Sequence, residues 1–318
     1  MLENTNNMVW IYVLIILVSC AVLIKSTDWV IKSLTYIAKY LKLPEFVIAF
    51  ILAGPATSLP ELFVGILAGL NKVSILSLSN VLGSNIADVA LVLGLTILLA
   101  RGLKIERKVV QFNIIYTLIL LIYPLLLLLD KTISRLDGLA LLVLFGLYVI
   151  ILYRQSKDYT KTSGRIFQRD FLKNVLLLII GIVLLLGAAE AIVKASQGLA
   201  IRLNIQLFII GVFLVALGTS LPELSFNLRA TKEHKEMIFG NILGSLAANS
   251  SLILGVTAII SPIVIENLNL LLTSVGFMLA SFIFFMIFAR TKERFSWFEG
   301  MILILFYISF LIIQPLIK

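Results

Sequence analysis

Read only for its hydrophobic and polar positions, the chain is a succession of long apolar blocks separated by short polar ones. Met8–Ile24, Val109–Leu129, Leu139–Tyr153, Val175–Ala188 and Met301–Ile317 are almost wholly aliphatic. About 20 such residues in a helix cross about 30 Å of hydrocarbon. A helix also satisfies its own backbone where lipid offers no partner. The pattern predicts a helical membrane protein. Glu3 and no basic residue precede the first block, and no small-residue cleavage site follows it, so it reads as a retained span rather than a secretory signal.

A second pattern lies over the first. Phe46–Leu62 aligns without gaps on Phe208–Leu224, and both segments end in Thr-Ser-Leu-Pro-Glu-Leu. After a slip of one residue, Asn80–Gly94 falls on Asn241–Gly255, an offset of about 161 residues. Segmenting the chain by its apolar blocks gives ten spans, five to each half. An odd number inserts the second half upside down relative to the first. The expected fold is therefore all-α: a polytopic membrane protein with ten transmembrane helices in two inverted five-helix repeats. The repeats are placed at residues 1–153 and 171–318, with a cytoplasmic linker at 154–170. Transporters built this way bind substrate near the midplane, where interrupted helices of the two halves meet.

Composition narrows the class. With 60% hydrophobic and 14% charged residues, an ordinary soluble domain is excluded. The net charge of +9 comes from basic residues scattered over short loops without interleaved aromatics, which argues against a nucleic-acid surface. Most of them fall in the loops after spans one, three, five, seven and nine. Lys72, Lys131, Arg135, Lys194, Arg202 and Lys318 are left on the other side. By the positive-inside rule both termini are extracellular. With no large central loop, a prokaryotic plasma membrane is the expected location. Cys20, the only cysteine, lies within the first span and is expected to be an inert buried thiol.

Carboxylates inside apolar helices are costly enough to signal function. Glu61 and Glu223 are such residues, and they are repeated. Pro60 and Pro222, just ahead of them, each remove a backbone donor, so the helices open and the carbonyls of Ala56 and Gly218 become acceptors. Thr57 with Glu61, Thr219 with Glu223, Ser84 with Asp88 and Ser245 with Asn249 each stand four apart, on one helix face. Hydroxyl, carbonyl and carboxylate oxygens then converge, and a hard cation such as calcium takes about six to eight of them. Two glutamates match its charge; Asp88 adds a third negative group and a candidate proton carrier. Gly83, Ala87, Gly94, Gly244, Ala248 and Gly255 allow close helix contact. Asp28 with Lys32 and Glu190 with Lys194, also repeated, suit interfacial ion pairs. His234, the only histidine, lies in a charged loop, and no His-Glu-x-x-His motif is present, so an enzyme is not expected.

The paired Thr-Ser-Leu-Pro-Glu and Asn-x-x-Gly-Ser elements resemble the two alpha repeats of the sodium/calcium exchanger (calcium/cation antiporter) family, in its prokaryotic form. The resemblance covers the whole chain. It implies a secondary antiporter working by alternating access, with calcium and sodium as transported ions, no cofactor and no obligate protein partner. The implied ligands are Thr57, Ser58, Glu61, Ser84, Asp88, Thr219, Ser220, Glu223, Ser245 and Asn249, with carbonyls of Gly54 and Ala216. Proton/calcium antiport and, more remotely, a cation channel are the competing readings. Three departures from the family pattern stand out: Gly-Pro-Ala-Thr-Ser replaces Gly-Thr-Ser in the first half, Leu246 stands where Asn85 stands in the first half, and the acid and amide of the outer pair fall at Asp88 and Asn249.

Overall fold

The structure, a computed structural model, describes residues 2–40, 55–104, 107–155, 169–233, 236–291 and 294–317. Gly54, His234 and linker residues 156–168 lie outside the described residues. Almost every described element is a helix. The first half contains α1 (Leu2–Tyr40), α2 (Leu59–Leu70), α3 (Ser74–Ile86), α4 (Leu93–Leu99), α5 (Arg107–Leu127) and α6 (Arg135–Gln155). The second contains α7 (Arg169–Leu203), α8 (Leu207–Ile210), α9 (Ala216–Thr219), α10 (Leu221–Glu233), α11 (Glu236–Ala247), α12 (Leu254–Ile260), α13 (Leu268–Thr291) and α14 (Trp297–Ile313). A π-helical segment, Ala87–Val92, carries α3 into α4, and Ala248–Ile253 does the same between α11 and α12.

Among the described residues, eight helical stretches are long and apolar enough to cross a membrane, and two further apolar helices, Leu59–Leu70 and Ile114–Asp130, are shorter. Burial sorts them into two shells. In the apolar stretches of Ser74–Leu99 and Ile238–Ile260, 83% of residues are buried, whereas in those of Met8–Leu34 and Arg135–Leu152 only 22% are. The first pair is surrounded by protein; the second turns residues such as Trp10, Leu14, Leu17 and Leu147 outward. In water such a surface would be an association hazard. In a bilayer it is the solvent-facing side.

The halves are tied together by exchanged contacts. Leu103–Lys104 pairs antiparallel with Arg294–Phe295, and Thr132–Ile133 pairs with Ile263–Val264. Shifted by the repeat offset, the first pair becomes the second. Glycine does the same in the interior. A β-carbon on Gly94 would sit 3.1 Å from the Gly300 carbonyl, and one on Gly138 would sit 2.8 Å from the Gly255 carbonyl. Thus α4 crosses α14, and α12 crosses α6, with backbones nearly touching. Such contact is what holds helices together where lipid cancels the hydrophobic drive. Sequence spacing pointed to Gly94 and Gly255; their partners, Gly138 and Gly300, stand out only in the fold.

The long helices α1 and α7 run against one another and brace the interior. Cys20 of α1 is a buried free thiol seated on Gly218. Glu190 bonds Lys194 within α7 at 2.8 Å and also accepts from Asn71 Nδ2 at 2.9 Å. The Asp28 carboxylate reaches across to Arg229 of the other half, 4.0 Å away, a cross-half partner where the spacing had pointed to Lys32.

Candidate functional site

The two breaks follow from proline. Pro60 and Pro222 lack the N–H that a continuous helix needs and clash one turn back. Accordingly α2 starts at Leu59 and α10 at Leu221. The serine ahead of each adopts nearly the same non-helical backbone: Ser58 has φ −84°, ψ 12° and Ser220 has φ −81°, ψ 0°. That sparsely allowed region is one that active-site residues often occupy. The halves differ just upstream. Helix α9 runs up to the second break, while Pro55–Ser58 forms a turn, as expected where a second proline stands.

Carbonyls near the breaks are more occupied than the proline argument alone suggests. Ala56 O receives the Leu59 N–H at 3.4 Å, and Ala216 O receives the Ser220 N–H at 3.0 Å, with Thr219 Oγ1 a further 3.4 Å neighbour. The expectation of a wholly freed Ala56 carbonyl is therefore corrected: the chain tightens by one residue to reach it.

Both glutamates are buried, at 1% and 0% exposure. Ser84 Oγ donates to Glu61 Oε1 at 3.3 Å, and Ser245 Oγ donates to Glu223 Oε1 at 3.5 Å. Ser58 Oγ also donates to Glu223 Oε1, at 3.3 Å across the halves, rather than bonding back to its own helix. These distances are long for hydroxyl donors. The second oxygens, Glu61 Oε2 and Glu223 Oε2, are buried with no partner. Among the described residues no Lys or Arg pairs with either carboxylate.

The threonines bridge the halves. Thr57 Oγ1 donates to Asn241 Oδ1 at 3.1 Å and lies 3.4 Å from Ser245 Oγ. Thr219 Oγ1 donates to Asn80 Oδ1 at 3.2 Å and lies 3.4 Å from Ser84 Oγ. One set maps onto the other by the repeat offset. Asn80 and Asn241 were not singled out as site residues from the sequence, although the signal was there. Asn80, Ser84 and Asp88, like Asn241, Ser245 and Asn249, recur at spacing four and share a face.

Asp88 and Asn249 each sit in a π-helical segment, at corresponding places in the two halves. Such segments add a residue to a turn and occur mostly at functional positions. Both oxygens of Asp88 are buried and unpartnered, and it lies within electrostatic reach of Glu61 and Glu223. The buried hydroxyls of Ser220 and Tyr307, also unpartnered, are near it. No three of Asp, Glu, His or Cys converge as a metal-binding group among the described residues. Asp88 stands beside the glutamate pair as a third buried acid, within electrostatic reach of both. Of the remaining sequence candidates, Thr57, Ser58, Ser84, Thr219, Ser220, Ser245 and Asn249 are all buried in this region, and Gly54 lies outside the described residues.

A helical membrane protein that buries paired carboxylates beside two broken helices, with hydroxyls and amides from both halves around them, belongs to the class of ion transporters. The chain is a member of the sodium/calcium exchanger protein family, whose model matches it twice, over residues 11–154 and 173–315. It is 31% identical over 245 residues to the membrane protein MJ0091 of Methanocaldococcus jannaschii, covering 77% of this chain and 80% of that one. It is 28% identical to the sodium/calcium exchanger MaX1 of Methanosarcina acetivorans, covering 96% and 99%. Among solved structures it resembles the sodium-calcium exchanger NCX_Mj soaked with sodium and strontium, with TM-score 0.66, 26% identity and coverage of 95% and 98%. The chain is accordingly a multi-pass membrane antiporter of cations.

Proposed function

We propose that the chain exchanges calcium for sodium by alternating access at one site shared by two inverted halves. The ligands are Glu61, Glu223, Thr57, Thr219, Ser58, Ser220, Ser84, Ser245, Asp88 and Asn249, with carbonyls of Gly54 and Ala216. The observation that carries this reading is the pair of buried glutamates, each with an unpartnered oxygen and, among the described residues, no basic side chain on it. Uncompensated buried charge is expensive. A cation removes that cost, and calcium, with about six to eight oxygen ligands, suits the mixed donor set.

Exchange follows from the same cost. With no ion bound, two desolvated negative charges must cross the low-dielectric interior when access switches. With calcium or sodium bound, that charge is offset. The loaded forms reorient and the bare form does not, so ions moving in opposite directions are coupled. The name of MaX1 and the sodium, calcium and strontium soaks of NCX_Mj support this choice of ions. The basic loops after odd-numbered spans support a cytoplasmic linker and extracellular termini.

One observation favours a second reading. Asp88, with two unpartnered oxygens, is a place for a proton, which points to cation/proton antiport. Calcium uptake into vesicles, measured with a sodium gradient at constant pH and again with a pH gradient without sodium, separates the two. An outward sodium gradient should drive it; uptake indifferent to sodium and driven by a pH gradient would transfer the assignment to the proton reading.

A further inference from the structure

The two halves differ at one buried place in a way that bears on the ligands themselves. Asn249 donates Nδ2 to Asn85 Oδ1 at 3.1 Å, and its own Oδ1 is buried without a partner. Asn85 donates Nδ2 to Ser250 Oγ at 2.9 Å and to Met278 Sδ of α13 at 3.6 Å. Asn249, Asn85, Ser250 and Met278 are each at most 2% exposed, so water does not compete for these bonds. In the other half the counterpart of Asn85 is Leu246, the counterpart of Ser250 is Val89, and the counterpart of Asn249 is Asp88.

The chemistry of the two side chains explains the asymmetry. A carboxylate presents an oxygen whichever way its plane is turned; a carboxamide presents an oxygen one way and two N–H donors the other. Against a cation the second orientation is repulsive. Asp88 needs no help, whereas Asn249 must be held. A hydroxyl such as Ser250 accepts or donates, so it fixes nothing alone, but a thioether sulfur only accepts. Met278 therefore sets which end of Asn85 is its NH2, and Asn85 in turn sets which end of Asn249 faces away from it.

We infer that Asn85 is a positioning residue: with Met278 and Ser250 behind it, it holds the Asn249 amide so that its carbonyl oxygen, not its NH2, is turned to the transported cation. This rests on the reading of Asn249 as a ligand and adds to it the reason the ligand is oriented. Leu246 stands at the matching place because a carboxylate at Asp88 makes an orienting amide superfluous.

The test is calcium binding to the purified full-length protein, titrated calorimetrically with calcium alone. Outer partners of this kind are typically worth about tenfold to a hundredfold in metal affinity. Asn85→Leu, which installs the residue found in the other half, should weaken calcium by at least about tenfold. Asn85→Asp keeps an acceptor for the Asn249 NH2 while Ser250 turns its hydroxyl to donate, and its added charge acts in favour of calcium, so affinity should not fall more than about threefold below the parent. In an Asn249→Asp background orientation no longer matters, and adding Asn85→Leu should change affinity by less than about threefold. Equal losses for Asn85→Leu in both backgrounds, or equal losses for Asn85→Leu and Asn85→Asp, would overturn the inference, since a packing role alone gives either result. Full calcium affinity in Asn249→Leu would instead remove Asn249 from the ligand set, and failure of the parent protein to bind calcium would sink the proposed function itself.

Discussion

The first and second halves carry nearly the same inner machinery and a different outer one. Thr57, Glu61, Asn80 and Ser84 repeat as Thr219, Glu223, Asn241 and Ser245, and their hydrogen bonds repeat with the halves exchanged. One turn further on the match fails. Asp88 in the first half corresponds to Asn249 in the second and Asn85 to Leu246, while upstream Pro55 puts a turn where the second half has a helix. The lesson is that the symmetric part supplies the cost of an empty site, and the asymmetric part can set which ions fill it. Alternating access needs two comparable gates. Selectivity needs no symmetry at all.

The comparison can be broken at its centre. Glu61→Gln and Glu223→Gln each remove one buried negative charge, and ligand charge strongly tunes calcium affinity. Either should lower sodium-driven calcium uptake by about a hundredfold or more while the protein still purifies as a folded species. Near-normal uptake by both variants would mean the site lies elsewhere.

The glycine crossings test whether the halves are mechanically equivalent. Gly138→Val and Gly300→Val occupy the same place in the repeat and each drive a side chain into a facing carbonyl. Overpacking of this sort costs about 1–3 kcal/mol. Thermal unfolding in detergent should register similar losses for the two, and a large loss for only one would show that a single crossing holds the bundle.

Asp88→Asn sharpens the outer difference. It removes the acid of the pair and introduces an amide with Leu246, not an orienting asparagine, at the matching position. Calcium uptake should fall by about tenfold, as for loss of an oriented metal partner. Any part of the pH dependence of transport that belongs to this group should disappear. An unchanged pH profile would argue against a protonation role for Asp88.

Smallest in effect are Thr57→Val and Thr219→Val, which remove the bridging hydroxyls. One hydrogen bond is worth about 1 kcal/mol, or about fivefold in affinity. Because the bridges are exchanged between halves, the two losses should be equal within error, and their inequality would place the ion nearer one half.

Much of the fold was legible beforehand for a physical reason. In lipid the backbone must bond internally, so long apolar blocks can only be helices, and the blocks from Met8, Val175 and Met301 became helices in the structure. The exchanged contacts were less legible. Gly94 and Gly255 could be marked as small residues, but nothing local pointed to Gly138 or Gly300, which lie on lipid-facing helices and matter only because of what crosses them. Asn80 and Asn241 recur at spacing four from Ser84 and Ser245, but that each meets a threonine of the opposite half is visible only in the fold.

By itself, then, the sequence determined the helical membrane architecture, the two proline breaks and the presence of carboxylates beside them, because each depends on a residue's own chemistry or on neighbours within one turn. Which oxygens face one another was decided only by tertiary structure. Ser58 bonds Glu223 from the opposite half, and Asn249 takes its direction from Asn85, whose own direction comes from a sulfur on α13. Those partners are separated along the chain by more than a hundred residues, and only folding brings them within reach of one another.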